Sequence, residues 1–276
     1  MRILYKYTSI EAERFDWFKR ILEGWIYFAS PPAFNDPFEL SPIFAAPTEQ
    51  TVSKFLEKFD LLLTKSARAK VVRETARQLQ TQSMSAVDAE WVASLGVLCL
   101  AADPKNLLMW GHYGNAHKGV CLGFDASYAP FSTAKPINYS SERPAIPLTE
   151  STLLNEAVSD SILLTKSPHW KYEEEWRSIK RPVRDDEKNF YRQAILAGEA
   201  EEDEVAELLA SEGGHGQYEF EPHALRRVIL GARVDSGQRL AIKSLIATKP
   251  WIKLYQAELD RKYFVINLRE LEPSQN

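Results

Sequence analysis

Residues 107–125 read L-L-M-W-G-H-Y-G-N-A-H-K-G-V-C-L-G-F-D and join two different patterns. The first half crowds tryptophan, tyrosine and histidine among glycines, and the second half has the apolar, β-forming composition of a buried strand. We predict a short helix that runs directly into a strand. An ordinary surface helix carries few aromatic side chains, so the segment also indicates a surface that another molecule contacts.

Strand-like and helix-like segments do not alternate regularly on either side of this stretch. A doubly wound parallel sheet requires such an alternation, so we predict an α+β fold with a largely antiparallel mixed sheet flanked by helices. The strands expected from β-forming residues are 3–7, 25–29, 96–100, 119–124, 135–139, 174–180, 218–230, 251–257 and 263–266.

A long and mostly polar segment, residues 49–92, is expected to be helical. Apolar residues recur there at helical spacing, at Phe55, Leu56, Phe59 and Leu62. We interpret this segment as a helical insertion in a single domain that spans residues 1–276, a length that can bury one large core.

Two further helix starts are predicted from capping signals. The pattern Thr8-x-x-Glu11 is a capping box, which predicts a helix that ends near Gly24. Asp103 followed by Pro104 is the pattern of an N-cap with proline at the first helical position, and it places the start of the helix in the opening stretch.

Composition limits the compartment and the partners. The net charge is −4 and the pI is about 5.8, so we expect no broad nucleic-acid-binding surface. The two cysteines, Cys99 and Cys121, lie in apolar runs without a Cys-x-x-Cys spacing and are expected to be buried free thiols. No apolar run approaches the ~20 residues that cross a bilayer, and we expect a cytoplasmic protein without a membrane partner.

The second informative segment, residues 170–177, reads W-K-Y-E-E-E-W-R. As a strand, it would place Glu173, Glu175 and Arg177 on one face. Paired carboxylates suit acid–base chemistry or the stabilisation of a developing cation. A surface strand with a salt bridge explains the same pattern equally well.

The rings of the opening stretch have two interpretations. Trp110 is more typical of a core anchor, whereas His112 and Tyr113 are candidate polar contacts for a ligand. The spacing of His112 and His117 does not match the pattern of two zinc-binding histidines four residues apart with a glutamate between them. We therefore predict no metal site.

Two other segments offer candidate ligand contacts. The loop F-N-D-P-F-E, residues 34–39, contains Asn35 and Asp36 before a proline. A structural turn packed by Phe34 and Phe38 is the favoured interpretation, although such a loop can also form a site wall. On the first strand Lys6 is expected to point away from both neighbouring tyrosines, either to reach water or to face a phosphate.

Five blocks together resemble a known bacterial family. They are L-Y-K-Y near the start, F-N-D-P-F-E, the stretch from L-M-W-G-H-Y to L-G-F-D, W-x-Y-E-x-E-W-R, and F-E-P-H-A-L-R-R-V-I-L-G at residues 220–231. In this order and over most of the chain, they resemble the family catalogued as domain of unknown function 2971. This resemblance implies a class of protein and does not define a reaction.

The order of elements is also similar to that of ADP-ribosyltransferases. Those folds carry a basic or histidine residue on the first strand, a small hydroxyl or aromatic motif on a middle strand, and Glu-x-Glu on a late strand. Lys6, the strand around Cys99 and Ala101, and Glu173-x-Glu175 would fill these places. Related chains often read C-F-S where this chain reads Cys99-Leu100-Ala101, so the hydroxyl is missing here.

This similarity implies a reaction and a set of roles. NAD would be the substrate, and ADP-ribose would pass to a macromolecular acceptor. Glu175 would stabilise the ribosyl cation, and Glu173 would orient or deprotonate the acceptor. The residues expected to contact the dinucleotide or support its pocket are Lys6, Tyr7, Trp110, His112, Tyr113, Arg177, Asn35 and Asp36.

Two other functions stay open at this point. One is a non-catalytic binding module of a bacterial stress or phage-defence system, in which the Glu/Arg cluster is structural. The other is a phosphodiesterase or nuclease that holds a divalent metal through Asp36, Glu39, Glu173 and Glu175, because carboxylate-only sites suit magnesium or manganese.

Overall fold

The computed structural model describes residues 2–11, 13–40, 43–45, 48–57, 64–81, 92–147, 156–181, 185–201, 205 and 213–271. The chain divides into two compact units. Unit 1 comprises Met1–Ala33, Ser94–Ile137 and His169–Asn276, and unit 2 comprises Phe34–Ala93 and Asn138–Pro168.

The described strands and helices are numbered separately in chain order. The strands are β1 (Ile3–Thr8), β2 (Trp25–Phe28), β3 (Ile43–Ala45), β4 (Gly96–Ala101), β5 (Val120–Asp125), β6 (Lys135–Pro136), β7 (Asn138–Tyr139), β8 (Ala145–Pro147), β9 (Thr165–Lys166), β10 (Glu175–Lys180), β11 (Gly216–Glu219), β12 (Leu225–Leu230), β13 (Lys253–Leu259) and β14 (Ile266–Glu270). The α-helices are α1 (Glu13–Leu22), α2 (Glu49–Glu57), α3 (Lys65–Thr81), α4 (Leu107–His112), α5 (Glu156–Leu163), α6 (Asp185–Ala197) and α7 (Ser236–Ala247).

Unit 1 is built on an eight-stranded sheet with the order β14-β13-β12-β5-β1-β4-β10-β6. Strands β12 and β13 are parallel, and the other neighbouring pairs described in this sheet are antiparallel. The predicted α+β fold with a largely antiparallel mixed sheet is therefore confirmed. All of β5 is buried, which shows that side chains cover both faces of the sheet centre.

The two faces of this sheet carry different cores, because successive side chains of a strand point to opposite faces. The face that we call the large-core face packs Leu4, Leu100 and Leu122 against α1 and α7. The opposite face, which we call the α4 face, packs Tyr5 and Tyr7 together with Ala101, Cys121, Met109 and Trp110. Functional residues can therefore be assigned to a face from their strand register.

Unit 2 contains the predicted helical segment. Helices α2 and α3 pack through Val52, Val72 and Ala76, with Leu56 against them. The rest of the predicted segment 49–92, including Phe59 and Leu62, lies largely outside the described residues. Strand β3 pairs with β8, and β7 pairs with β9, both in parallel.

Three predicted boundaries are wrong for identifiable reasons. Thr8 does not cap a helix, because β1 continues through it and α1 begins at Glu13. The predicted strand 218–230 is interrupted around Pro222, which lacks the N–H that a sheet ladder needs. Residues 263–266 form most of a hairpin tip instead of a strand, since β14 begins only at Ile266.

The structure also describes the two cysteines and the apolar character of the helices. Cys99 and Cys121 are both free thiols, but only Cys121 is buried, on the α4 face, and the expected burial of Cys99 is wrong because it is half-buried. None of the helices in the described part of the chain combines the length and the apolar character needed to cross a bilayer.

Candidate functional site

Helix α4 is fixed at its start by Asn106. The Asn106 Oδ1 atom accepts hydrogen bonds from the backbone N–H groups of Leu108 (2.9 Å) and Met109 (3.1 Å). Its Nδ2 atom donates to the carbonyl oxygen of Tyr172 at 2.7 Å. The predicted cap at Asp103 is thus wrong by three residues, and Asn106 joins α4 to the 3₁₀ turn Pro168–Glu173.

Sequence reasoning missed Asn106, although a signal was present. Asparagine immediately before an apolar helical run is a favoured N-cap. The Asp103-Pro104 pair, three residues earlier, matches the pattern of a helix start equally well. Asp103 instead accepts a hydrogen bond from the Lys105 N–H at 2.8 Å, which makes a local turn.

Trp110 and Tyr7 form the base of the site and are not exposed to a ligand. Trp110 is fully buried, and its Nε1–H donates to the carbonyl oxygen of Pro104 at 2.9 Å. Its ring meets that of Tyr7 edge to face, with 5.1 Å between centroids. The Tyr7 hydroxyl donates to the Asp103 carbonyl at 2.6 Å, and burial raises the pKa of this phenol.

The chain turns sharply between α4 and β5. Asn115, Ala116 and His117 all have positive φ angles of 50°, 50° and 70°. Left-handed backbone is unfavourable for residues other than glycine, so the surrounding structure must hold this turn in place. At the end of this turn the His117 ring stacks on Trp110, with 6.1 Å between centroids and 11° between planes.

The two candidate catalytic carboxylates flank a second backbone reversal. Glu173 ends the 3₁₀ turn, Glu174 has a φ of 43°, and Glu175 opens β10. Glu173 therefore precedes the strand, and the expectation that it shares one strand face with Glu175 and Arg177 is wrong. The reversal leaves Glu174 exposed and buries both of its neighbours, each at 4% exposure.

Each buried carboxylate has a defined hydrogen-bond partner. The Tyr113 hydroxyl donates to Glu173 Oε1 at 2.7 Å. Arg177 donates from Nε to Glu175 Oε1 at 2.7 Å and from Nη2 to Oε2 at 3.1 Å, which is a bidentate pair. Arg177 is itself 1% exposed, so this ion pair lies in the interior.

Strand register places Glu175 on the α4 face. Glu175 is directly opposite Ala101 on β4, and Ala101 is directly opposite Tyr5 on β1. Tyr5 and Ala101 belong to the same core cluster as Trp110. The Glu175–Arg177 pair, Trp110 and Tyr113 are therefore on one side of the sheet.

Four rings form a continuous row beside these carboxylates. Tyr113 neighbours His112 (6.3 Å between centroids), His112 neighbours Tyr172 (6.2 Å), and Tyr172 neighbours Trp170 (6.1 Å). His112 is exposed and the other three residues are half-buried. This aromatic row offers ring surface to a ligand next to the buried carboxylate that Tyr113 holds.

Lys6 lies on the other side of the sheet. It is directly opposite Leu122, a member of the large-core cluster, whereas its neighbours Tyr5 and Tyr7 are on the α4 face. Its Nζ atom is 3.5 Å from the carbonyl oxygen of Cys99. The structure therefore does not bring the Lys6 side chain to the face that holds Trp110, Tyr113 and Glu175.

Burial lowers the pKa of the Lys6 ammonium below its ordinary value. The nearby Cys99 and Glu175 groups oppose this change, and Arg14 adds to it. A half-buried lysine with a depressed pKa is disfavoured in its charged form, which is unlike a cation held out for a phosphate.

Asn35 and Asp36 lie in unit 2, whereas the residues above lie in unit 1. Asn35 is exposed, and the buried Asp36 accepts a hydrogen bond from the Phe38 N–H at 2.9 Å through Oδ1. Phe38 is 65% exposed, so the expectation that Phe38 packs this turn is wrong.

The metal-dependent alternative requires carboxylates from both units. Glu39, like Asp36, lies in unit 2, where it forms a buried ion pair with Lys166 at 3.6 Å. Glu173 and Glu175 lie in unit 1. Over the ranges that the structure describes, no group of three or more His, Cys, Asp or Glu side chains is placed to hold a metal ion.

Comparison with known protein families gives a match over part of the chain. The family model described as "Protein of unknown function (DUF2971)" matches residues 109–178. This segment runs from α4 through β10 and contains Tyr113, Glu173, Glu175 and Arg177. Neither the comparison with curated proteins nor that with solved structures gives a match. The predicted family resemblance is thereby confirmed: residues 109–178 of this chain carry the DUF2971 family pattern.

Proposed function

We propose that this chain is an ADP-ribosyltransferase-like protein that cleaves NAD and transfers ADP-ribose to a macromolecular acceptor. The observation that carries the proposal is the buried carboxylate of Glu173, which the Tyr113 hydroxyl joins to the aromatic row, with the buried Glu175 two residues further on and on the α4 face of the sheet. A stacking surface next to fixed negative charge suits a substrate that contains flat rings and passes through a cationic sugar.

The chemistry assigns different tasks to the two carboxylates. When the bond between nicotinamide and ribose breaks, its electron pair leaves with nicotinamide and positive charge develops on the ribose. Glu175, oriented by its two hydrogen bonds from Arg177, stabilises that charge. The acceptor nucleophile then bonds to the ribose carbon, and Glu173 takes the proton that the nucleophile loses.

The aromatic row supplies the binding surface. His112 is exposed, and Tyr172 and Tyr113 are half-buried on either side of it. A nicotinamide or adenine ring stacked there would lie close to Glu173, because Tyr113 belongs both to the row and to the hydrogen bond with Glu173. Trp110 and Tyr7 support this wall from behind, because Tyr113 and Tyr172 pack against the core cluster to which they belong.

The test is nicotinamide release by the purified chain supplied with NAD and an acceptor protein mixture. Glu175→Gln is expected to lower the rate on the order of a hundredfold, since it removes the charge that faces the ribosyl cation. Glu174→Gln is the matched control: it makes the same chemical change at the exposed residue next door and should leave the rate unchanged.

Two results would refute an NAD-cleaving enzyme. One is a wild-type chain that releases no nicotinamide and shows no thermal shift with NAD. The other is a folded Glu175→Gln variant that works as fast as Glu174→Gln. Circular dichroism of both variants separates lost chemistry from lost folding.

A second candidate is a non-catalytic binding module. It is supported by the internal hydrogen bonds of both carboxylates, with Tyr113 for Glu173 and with Arg177 for Glu175. Buried carboxylates with internal hydrogen-bond partners are also found where a polar cluster only stabilises a fold. This function predicts that Glu173→Ala and Glu175→Ala lower the melting temperature of a protein whose wild-type form has no NAD turnover.

A further inference from the structure

The tip of the β13–β14 hairpin exposes an unusual run of side chains. Residues 261–265 read R-K-Y-F-V, and all five are exposed. Phe264 is 98% exposed, Tyr263 62% and Val265 48%, and Leu259 at the end of β13 is 53% exposed. Single exposed apolar residues are common on protein surfaces, but several together mark interaction sites.

This tip is held in a defined shape. Asp260 accepts hydrogen bonds through Oδ1 from the N–H groups of Lys262 (2.8 Å) and Tyr263 (2.9 Å). Its Oδ2 accepts from Asn267 at 3.1 Å, and its N–H donates to the Val265 carbonyl at 3.1 Å. Because the backbone is fixed from inside the hairpin, the apolar side chains are presented without the entropy cost of ordering a loose loop.

The charge of the tip complements an anionic surface. Arg261 and Lys262 precede the apolar residues directly, and Lys262 Nζ lies 5.1 Å from the centre of the Tyr263 ring. The carboxylate of Asp260 is turned into the hairpin by its hydrogen bonds. Cations next to protruding aromatic and aliphatic groups match the boundary between lipid headgroups and acyl chains.

We propose that this hairpin tip binds the anionic surface of a lipid bilayer, with Tyr263, Phe264 and Val265 inserted among the headgroups and Arg261 and Lys262 in contact with lipid phosphates. Single-stranded nucleic acid fits the tip less well, because Val265 and Leu259 have no ring to stack on a base.

Peripheral binding of this kind needs no spanning segment. The expectation of no membrane partner was based on the absence of a long apolar run, which excludes insertion across a bilayer and leaves surface contact open. Attraction by basic side chains falls off within a Debye length, so the binding should weaken as salt is raised.

The experiment is co-sedimentation of the full chain with two kinds of vesicle, phosphatidylcholine alone and phosphatidylcholine mixed with phosphatidylserine. We expect binding to the mixed vesicles, reduced by salt, and weak binding to the neutral ones. Phe264→Ser should reduce the binding constant roughly tenfold or more, the effect of losing one inserted ring. Phe190→Ser, which removes a 69% exposed phenylalanine from α6, is the matched control and should bind like the wild type.

Three outcomes would overturn the inference. They are no sedimentation of the wild type with either vesicle, equal binding by Phe264→Ser and Phe190→Ser, or undiminished binding when Arg261 and Lys262 are both replaced by glutamate. A dimer of the wild type in light scattering that Phe264→Ser abolishes, without vesicle binding, would assign the tip to a second copy of the chain instead. Both phenylalanines are exposed, so their replacement should not disturb folding.

Discussion

The Tyr113 hydroxyl and the Glu173 carboxylate are joined by a 2.7 Å hydrogen bond that connects the end of α4 to the turn before β10. Tyr113→Phe removes this bond and keeps the ring. We expect the free energy of unfolding to fall by about 1–3 kcal/mol, because a buried carboxylate loses a donor. Urea denaturation measures the change.

Tyr263→Phe is the control for this substitution, since the Tyr263 ring is exposed at the hairpin tip. Its free energy of unfolding should stay within about 0.5 kcal/mol of the wild type, as for most surface changes. If Tyr113→Phe changed the free energy of unfolding as little as Tyr263→Phe, the hydrogen bond to Glu173 would have no part in holding α4 to the turn.

The buried pair of Glu175 and Arg177 predicts strong coupling between two substitutions. Arg177→Met alone leaves a buried charge without its bidentate partner and should cost about 3–5 kcal/mol. The double variant with Glu175→Gln should be less destabilised than the sum of the two single changes. A double-mutant cycle in urea gives the coupling energy.

The exposed pair of Arg269 and Glu258 has the same 2.7 Å distance between Arg Nε and Glu Oε1 and serves as the control. Arg269→Met should cost no more than about 1 kcal/mol, because solvent screens this pair. Equal costs for Arg177→Met and Arg269→Met would contradict the assignment of the Glu175 pair to the interior.

Replacing Ala101 by serine is expected to raise the rate of nicotinamide release. Ala101 is buried on β4 directly opposite Glu175, and the resemblance to ADP-ribosyltransferases implies a hydroxyl at this place. Directly opposite residues have Cβ atoms about 4.5–5.5 Å apart, so a hydroxyl at position 101 would reach the Glu175 carboxylate. If the chain cleaves NAD, Ala101→Ser should raise the rate of nicotinamide release roughly tenfold, as one added hydrogen bond can.

Ala257→Ser is the matched control, because Ala257 is equally buried in the same core cluster and lies on β13. It should leave the rate of nicotinamide release unchanged. A rate that is the same in Ala101→Ser and wild type would show that the missing hydroxyl does not limit the reaction.

Replacing Lys6 by methionine is expected to raise the free energy of unfolding by an amount that depends on pH. Burial lowers the pKa of Lys6 below the ordinary 10.5, so the folded state disfavours the charged ammonium. The destabilisation caused by this buried charge has its full size below the folded-state pKa and disappears as the pH rises to 10.5. Lys6→Met should therefore be more stable than the wild type at neutral pH, and the gain in the free energy of unfolding should shrink as pH rises.

Lys253→Met should behave with the opposite sign. The hydrogen bond to Glu270 raises the pKa of the exposed Lys253, so its contribution to stability is present at neutral pH and is lost as pH rises through the folded-state pKa. Lys253→Met should then be less stable than the wild type at neutral pH only. Urea midpoints at several pH values test both variants, and a gain for Lys6→Met that grew with pH would contradict the burial of its ammonium.

Sequence alone determined the local elements near the site. The apolar run after Gly119 predicted β5, the crowded rings predicted the helix that became α4, and irregular alternation predicted the mixed sheet. These features depend on the spacing of apolar side chains over a few residues, which a sequence displays directly. The ion pair of Glu175 and Arg177 was likewise visible from their spacing, because residues two apart lie on the same face of a strand.

Tertiary structure decided which of these residues meet. Lys6 and Glu175 were expected to share a site. Strand pairing through Ala101 and Tyr5 instead puts Glu175 on the α4 face, whereas the register of Lys6 puts it on the large-core face. A shift of one residue in register would exchange the faces, and nothing in the local pattern of β1 specifies its partner on β4. The positive φ at Glu174, which buries the carboxylates on both sides of it, is also set by contacts between distant segments, among them the hydrogen bond from the Ala102 N–H to the Glu174 carbonyl.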